Sequence, residues 1–317
     1  MVNVRRQSTL SASASCRSLS LHGGRQTSLT LHPAPVNTGV VFRRTDVTDR
    51  DNIIAVRPES VVDVRNCTTL GNAADVRVST VEHVLAAVAA VGLDNLVIDV
   101  DGAELPAEDG SAEPFLDMIE RAGIDRQAAP RRYLRVLKSV TVGADGGPQA
   151  RIEPAERLEL DVTIDFADAA IGHQRVALAP NIHAFRDRLA SARTFARKHE
   201  VAALQDAGLS MGGSFDNAVL VDGGDVLNPG GLRQEDEFVA HKALDLMGDL
   251  YVAGPILGRI TSYKPGHRLN HALTTALLAD PTAWRMETLP GARALVSMMG
   301  MRRGGRSVVA DVGAVPA

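Results

Sequence analysis

The chain has 317 residues with 45% hydrophobic content, enough for a buried core in one large domain or two ordinary ones. A net charge of −4 without a long basic stripe argues against a dedicated nucleic-acid binder. No apolar run reaches the roughly 20 residues of a membrane-spanning helix, and Cys16 and Cys67 are too few for a disulfide framework, so a cytoplasmic protein is expected.

The opening stretch MVNVRRQSTLSASASCRSLS is rich in Arg and Ser and mimics a transit peptide, but STLSASASCRSLSL (8–21) also alternates well enough for a first strand. TSLTLHPAP (27–35) and TGVVFRRTD (38–46) read as strands. TVEHVLAAVAAVG (80–92) is a helix with Ser79 or Thr80 as N-cap and Gly92 as its stop. NLVIDVDG (95–102) is a strand, and SAEPFLDMIERAG (111–123) a second helix closed by Gly123. The polar IDRQAAPRR (124–132) reads as a linker, with a boundary near 125–131 that divides 1–128 from 129–317.

The second part repeats the plan. YLRVLKSVTVG (133–143), ARIEPA (150–155) and LELDVTIDF (158–166) are strands, NIHAFRDRLASA (181–192) is helical, and EVAALQDAG (200–208) is a short helix. A Gly-rich stretch (209–231) leads into the helical FVAHKALDLMGDLYVAG (238–254). GPILGRITSYKPGH (254–267) is strand and turn, RLNHALTTALLAD (268–280) a helix, and 285–317 strand and loop with a tail around MRRGGR. The order of elements predicts an α+β protein in two halves, each a sheet backed by helices.

His241, Asp245 and Asp249 interrupt the apolar run of 238–254 at intervals of four. At about 3.6 residues per turn they share one helix face, and Phe238, Val239, Leu244, Leu246, Met247 and Leu250 mark that helix as mostly buried. An i, i+4 His/Asp pair can offer a nitrogen and an oxygen to one ion, and zinc accepts both at about 2.0–2.2 Å. A hydrolytic zinc site needs a third protein ligand, for which His83 on the other buried helix is the best candidate. Each residue also reads as an ordinary buried polar group, and spacing alone does not bring the two helices together.

Bound zinc lowers the pKa of its water towards about 7 and polarises a carbonyl oxygen. Glu82, beside His83, is placed to take the water proton. His267 and Lys264 lie on a turn shaped by Pro265 and Gly266. There His267 can protonate a leaving amine, and Asp249 can orient it. His22 adjoins Gly23 and Gly24, which permit close approach to a ligand. His32, His173, His183, His199 and His271 have no carboxylate at metal spacing and are expected on surfaces or helices.

Taken together, STVEH (79–83), DGSAEPF (109–115), RTF (193–195), HKALDLMGDL (241–250) and YKPGH (263–267) form a specific set. In order, over roughly residues 5–280, the chain resembles the UDP-3-O-acyl-N-acetylglucosamine deacetylases, zinc amidases of bacterial lipid A synthesis. The resemblance implies a two-domain β-α-α-β sandwich with the active site between the domains. It implies zinc on His83, His241 and Asp245, Glu82 as general base, His267 as proton donor and Asp249 as its orienting partner. By the same resemblance Thr194 stabilises the oxyanion, and Lys242 and Lys264 lie near the sugar and diphosphate. His22 lines the glucosamine end, and Phe195 with the insert near 196–220 forms a fatty-acyl passage.

The chain departs from the family's Thr-Gly-x-Gly-Leu-His loop, reading CRSLSLH at 16–22 with both glycines replaced. The residues after RTF, ARKHE, are less bulky and apolar than the family's, and the tail beyond 295 matches nothing specific. The expected reaction is removal of the N-acetyl group from a UDP-linked 3-O-(3-hydroxyacyl) glucosamine by a monomer. Iron(II) fits the same His₂Asp donors as zinc. The rival readings are a zinc amidohydrolase of another N-acetyl sugar, separable by its indifference to the acyl chain, and a non-catalytic sugar-nucleotide-binding protein, separable by metal content.

Overall fold

A computed structural model describes residues 4–291. In chain order, the first half contains β1 (Arg6–Leu10), β2 (Ala14–Leu19), β3 (Gln26–Pro33), β4 (Val40–Arg44), β5 (Ile53–Ala55), β6 (Val61–Asp63), β7 (Thr69–Gly71) and β8 (Arg77–Val78). Then follow α1 (Glu82–Val91), β9 (Leu96–Val100), α2 (Glu113–Ala122) and β10 (Ile124–Pro130). Strands β2-β3-β9-β4-β5 form one sheet, antiparallel except where β4 runs parallel to β9. Alternation sets its inner face: Leu29 and Leu31 of β3 and Leu96, Ile98 and Val100 of β9 are buried. A smaller sheet, β6-β7-β8, leads into α1.

The second half contains β11 (Arg132–Val136), β12 (Val140–Gly143), β13 (Gln149–Glu153), β14 (Leu158–Asp165), β15 (His173–Leu178) and α3 (Ile182–Phe185). It continues with β16 (Phe195–Arg197), α4 (Lys198–Asp206), β17 (Val219–Asp222), β18 (Asp225–Val226), α5 (Glu237–Leu250), β19 (Ile256–Tyr263), α6 (His267–Ala279) and β20 (Trp284–Thr288). Its seven-stranded sheet is centred on β19, which pairs with β11, β13 and β14. Helices α1 and α5 pack on one another, with α2 beside α1 and α6 beside α5. The architecture is α+β, two sheet-and-helix halves meeting through their helices.

The α1–α5 contact is close enough for backbone to touch backbone. A Cβ added at Gly248 would stand 2.0 Å from the carbonyl oxygen of Glu82. Only glycine fits, and it sets the spacing of the two helices that carry the polar residues.

Four local expectations are corrected. The supposed linker is β10, paired antiparallel with β1; its outward polar side chains hide the strand, because an exposed strand needs no apolar face. Neither Ser79 nor Thr80 caps α1. Val81 holds that position, while Thr80 adopts φ +60° and donates its hydroxyl to Glu104 Oε1 at 3.1 Å. The segment 181–192 is one α-turn, capped by the Asn181 side chain, that widens into a π-turn at Arg186–Ala190. The long helix ends at Leu250 and passes through a 3₁₀ turn to Gly254. Gly92, in the left-handed region at φ +80°, closes α1 as expected. The stretch 16–22 continues β2 and turns at His22, and the tail beyond 295 lies outside the described residues.

Candidate active site and metal centre

The first turn of α1 brings Glu82 and His83 against the polar face of α5. His83, His241 and Asp245, all buried, place their donor atoms within 4.8 Å of one another. His83 Nε2 lies 3.6 Å and His241 Nε2 3.3 Å from Asp245 Oδ1, and the two imidazoles meet edge to face at 5.0 Å. His241 Nδ1 faces the carbonyl oxygen of Ala192 at 3.0 Å. Donation to that oxygen leaves Nε2 as a lone-pair donor, the usual arrangement behind a metal-bound imidazole.

These residues suit a cation better than they suit each other. Asp245 Oδ1 is buried with no hydrogen-bond partner among the described residues, and such an orphan costs about 1–3 kcal/mol or more if charged. Burial pushes the His241 imidazole down to about 4, favouring the neutral form that ligates. Burial also lowers His83, but Asp245 and Glu82 beside it pull it up on balance. Burial opposes ionisation of Asp245, yet His241 and Lys242 hold it well below the usual carboxylate range. With a cation in place of the proton that Asp245 and Glu82 draw to His83, two imidazoles and one carboxylate form a donor set for zinc or a similar divalent ion.

Beside this triad sits a second group of titratable side chains. Glu82 Oε1 lies 3.8 Å from His267 Nε2, and His267 Nδ1 lies 2.8 Å from Asp249 Oδ2. His267 is the first residue of α6, after a turn in which Lys264 takes φ +54° and Gly266 is extended. Burial lowers His267, but Asp249 and Glu82 outweigh it and raise the imidazole to about 10. Burial, with Asp249 and Asp245 nearby, raises Glu82 above its ordinary range.

A cleft of about 840 Å³ opens over these groups, lined also by His22, Thr194, Phe195 and Lys242. It continues along Val201, Leu204 and Phe215, within the segment expected to take an acyl chain. Thr194 is fixed by its backbone, to Gly110 on one side and Val219 on the other. The preceding Arg193 is tied to buried Glu237 at the start of α5. Phe195 packs edge to face on Phe238. The backbone nitrogens of His22 and Gly23 both donate to Glu104 at 2.8 Å, and His22 Nδ1 is buried without a partner among the described residues.

Lys242 lines the cleft, with its Nζ 2.9 Å from Asp245 Oδ2 and 5.5 Å from the Phe195 ring centre. Two expectations differ. Lys264 is not among the cleft-lining residues and pairs with Asp165 at 3.0 Å. His199 is exposed on α4, as expected of a surface or helix residue, and also lines the cleft. His32 has a carboxylate after all, Asp99 at 3.1 Å across the strands, but Arg43 shares it on the exposed sheet face. Thr68, Glu104, Glu237 and Asn270 escaped the sequence reading, and Arg193 stood in RTF without an assigned role. Only Asn270 carried a signal, its i+3 spacing from His267.

Residues 7–279 match the UDP-3-O-acyl N-acetylglycosamine deacetylase family. A Phenylobacterium zucineum protein named UDP-3-O-acyl-N-acetylglucosamine deacetylase is 50% identical over 283 residues, covering 89% of this chain and 96% of the relative. Proteins of the same name from Idiomarina loihiensis and Vibrio parahaemolyticus are each 44% identical over 286 residues, covering 89% of this chain and 93% of each relative. The chain belongs to the UDP-3-O-acyl N-acetylglycosamine deacetylase family.

Proposed function

We propose that this protein hydrolyses the N-acetyl group of a UDP-3-O-(3-hydroxyacyl)-N-acetylglucosamine, releasing acetate and the free amine in lipid A biosynthesis. The observation that carries the reading is a buried His83–His241–Asp245 donor set beside a separate acid–base pair, in one cleft with an apolar extension.

His83, His241 and Asp245 would hold a divalent ion, zinc or iron(II). When bound, such an ion acidifies water and polarises the amide carbonyl. Glu82 accepts the proton of the water that attacks the acetyl carbon, a role suited to a carboxylate whose affinity for protons burial has raised. The Thr194 hydroxyl donates to the oxygen on which charge develops. As the C–N bond breaks, His267 gives its Nε2 proton to the departing amine nitrogen, while Asp249 holds Nδ1 and steadies the cation. His22, Phe195 and Lys242 bind substrate from the cleft wall, and the segment near 196–220 takes the acyl chain. Lys264 belongs with the diphosphate only if it leaves Asp165. The site lies between two domains divided near residue 128. No helix among the described residues is long and apolar enough to cross a membrane. We further propose that the enzyme acts in the cytoplasm as a monomer.

The test is a deacetylation assay on the acylated UDP-sugar with and without a chelator. Acetate release that stops on chelation and returns with added zinc or iron(II) is expected. Turnover unaffected by chelation overturns the metal assignment, and equal turnover of acyl-free UDP-N-acetylglucosamine overturns the substrate.

A further inference from the structure

Glu82 and Asp249 lie on different helices, and no hydrogen bond between them is found among the described residues. Thr68, just before β7 and 3% exposed, joins them. Its backbone N–H donates to Glu82 Oε2 at 3.1 Å, and its hydroxyl donates to Asp249 Oδ1 at 2.6 Å. Asn270, fully buried one turn into α6, donates its Nδ2 to Asp249 Oδ2 at 2.8 Å, the oxygen that also meets His267 Nδ1. The carboxyl group of Asp249 is thus gripped at both oxygens and cannot rotate without losing a buried hydrogen bond. One oxygen is left facing the imidazole at a fixed angle.

We propose that Thr68 and Asn270 are positioning residues for the deacetylation. Thr68 is a strut that sets the separation of the base from the acid's partner, and Asn270 sets the rotation of that partner. The inference rests on the roles proposed above for Glu82 and His267. Its physical basis is that proton transfer at both ends of one bond cleavage needs both groups aligned together, and a misplacement of about 1 Å can cost about 100-fold. Buried polar residues that served stability alone would leave turnover intact once their loss was accommodated.

The test uses the full-length, metal-loaded enzyme. Thr68→Val keeps the shape and the N–H to Glu82 but removes the hydroxyl. Its kcat is expected to fall about 10–100-fold, the usual effect of removing a partner behind a site residue, with KM and metal content unchanged. Thr68→Ser restores the hydroxyl and is expected to recover most of the turnover. Because Thr68 acts through Asp249, Thr68→Val should cost far less in an Asp249→Asn background than alone. Asn270→Leu provides a second variant under the same criterion should Thr68→Val not fold. An unchanged kcat, a loss confined to KM, or a Thr68→Ser enzyme as slow as Thr68→Val overturns the inference while the wild type remains active. A wild type inactive on the acylated UDP-sugar overturns the underlying functional reading, and this inference with it.

Discussion

The α1–α5 helix pair carries two clefts of nearly equal size, about 840 and 820 Å³, and they could hardly differ more in chemistry. One opens at the first turn of α1 and the middle of α5, where Glu82, His83, His241, Lys242, Asp245 and His267 converge. The other opens at the last turns of both helices and is rimmed by Arg5, Arg6, Arg126, Arg131 and Arg157. There the cations answer local needs. Arg131 donates to the carbonyl of Gly92 at the end of α1, and Arg157 pairs with Glu159 on a strand. A cation at a helix C-terminus is a stabilising arrangement. In the first cleft the buried charges oppose stability, and Asp245 keeps an oxygen unpartnered. Volume does not separate the two clefts, and neither does a single unpartnered atom, since Arg131 Nε in the second also lacks a hydrogen bond among the described residues. Three donor atoms within 4.8 Å of one another in the first do, and such a cluster points to a ligand.

The contrast is broken most directly at the donor set. His241→Ala or Asp245→Ala should abolish both metal and turnover, exceeding the roughly 10–100-fold effect of partners lying behind ligands. Metal analysis of the purified variant beside a deacetylation assay checks this, and a variant that keeps a full metal complement refutes the assignment. Glu82→Gln comes next. A positioned proton-transfer group is worth about 10²–10⁴-fold in rate, so kcat should drop by that much while metal content stays at the wild-type level.

A third variant addresses the acid. As the proposed acid, His267 would act protonated, and Asp249 and Glu82 outweigh burial to raise its imidazole to about 10. Activity is therefore present at neutral pH and lost as pH rises towards that value. Asp249→Asn removes the largest raising influence, so the alkaline limb of kcat/KM should move to lower pH and kcat at pH 7 should fall by about 10-fold or more. On the acid side Glu82 must be deprotonated, and its raised pKa places a second limb above the ordinary carboxylate range. A profile flat from pH 5 to 10, or an Asp249→Asn limb that does not move, removes His267 from the acid's role.

What the sequence disclosed follows from range. The stripe of His241, Asp245 and Asp249 is visible because three titratable residues every fourth position in an apolar helix form a local pattern. STVEH and YKPGH are similarly compact. Thr68 is invisible: a threonine among threonines, it matters only through contacts 14 and 181 residues away. Glu104 and the Arg193–Glu237 pair are hidden for the same reason. Strand β10 went unseen because hydrophobic alternation records burial and not hydrogen bonding, and this strand exposes most of its side chains. Lys264 stood in the right motif, but a nearby carboxylate on β14 claims its ammonium group, which no pattern within YKPGH foretells.

The smallest expected effect bears on the second cleft, and it sharpens the comparison by being small. Arg126 is an exposed residue of β10 on that cleft's rim. Arg126→Ala removes charge from the rim without opening a cavity or stranding a buried partner, so unfolding stability should stay within about 0.5 kcal/mol of the wild type. By the same measure kcat/KM should change no more than about twofold. Chemical denaturation and steady-state kinetics of one variant decide both. A tenfold loss of turnover with stability intact would mean that charge at the far ends of α1 and α5 is felt at their near ends. The Gly248–Glu82 contact offers a rigid route for that coupling, because backbone packed on backbone at this crossing leaves neither helix free to shift alone.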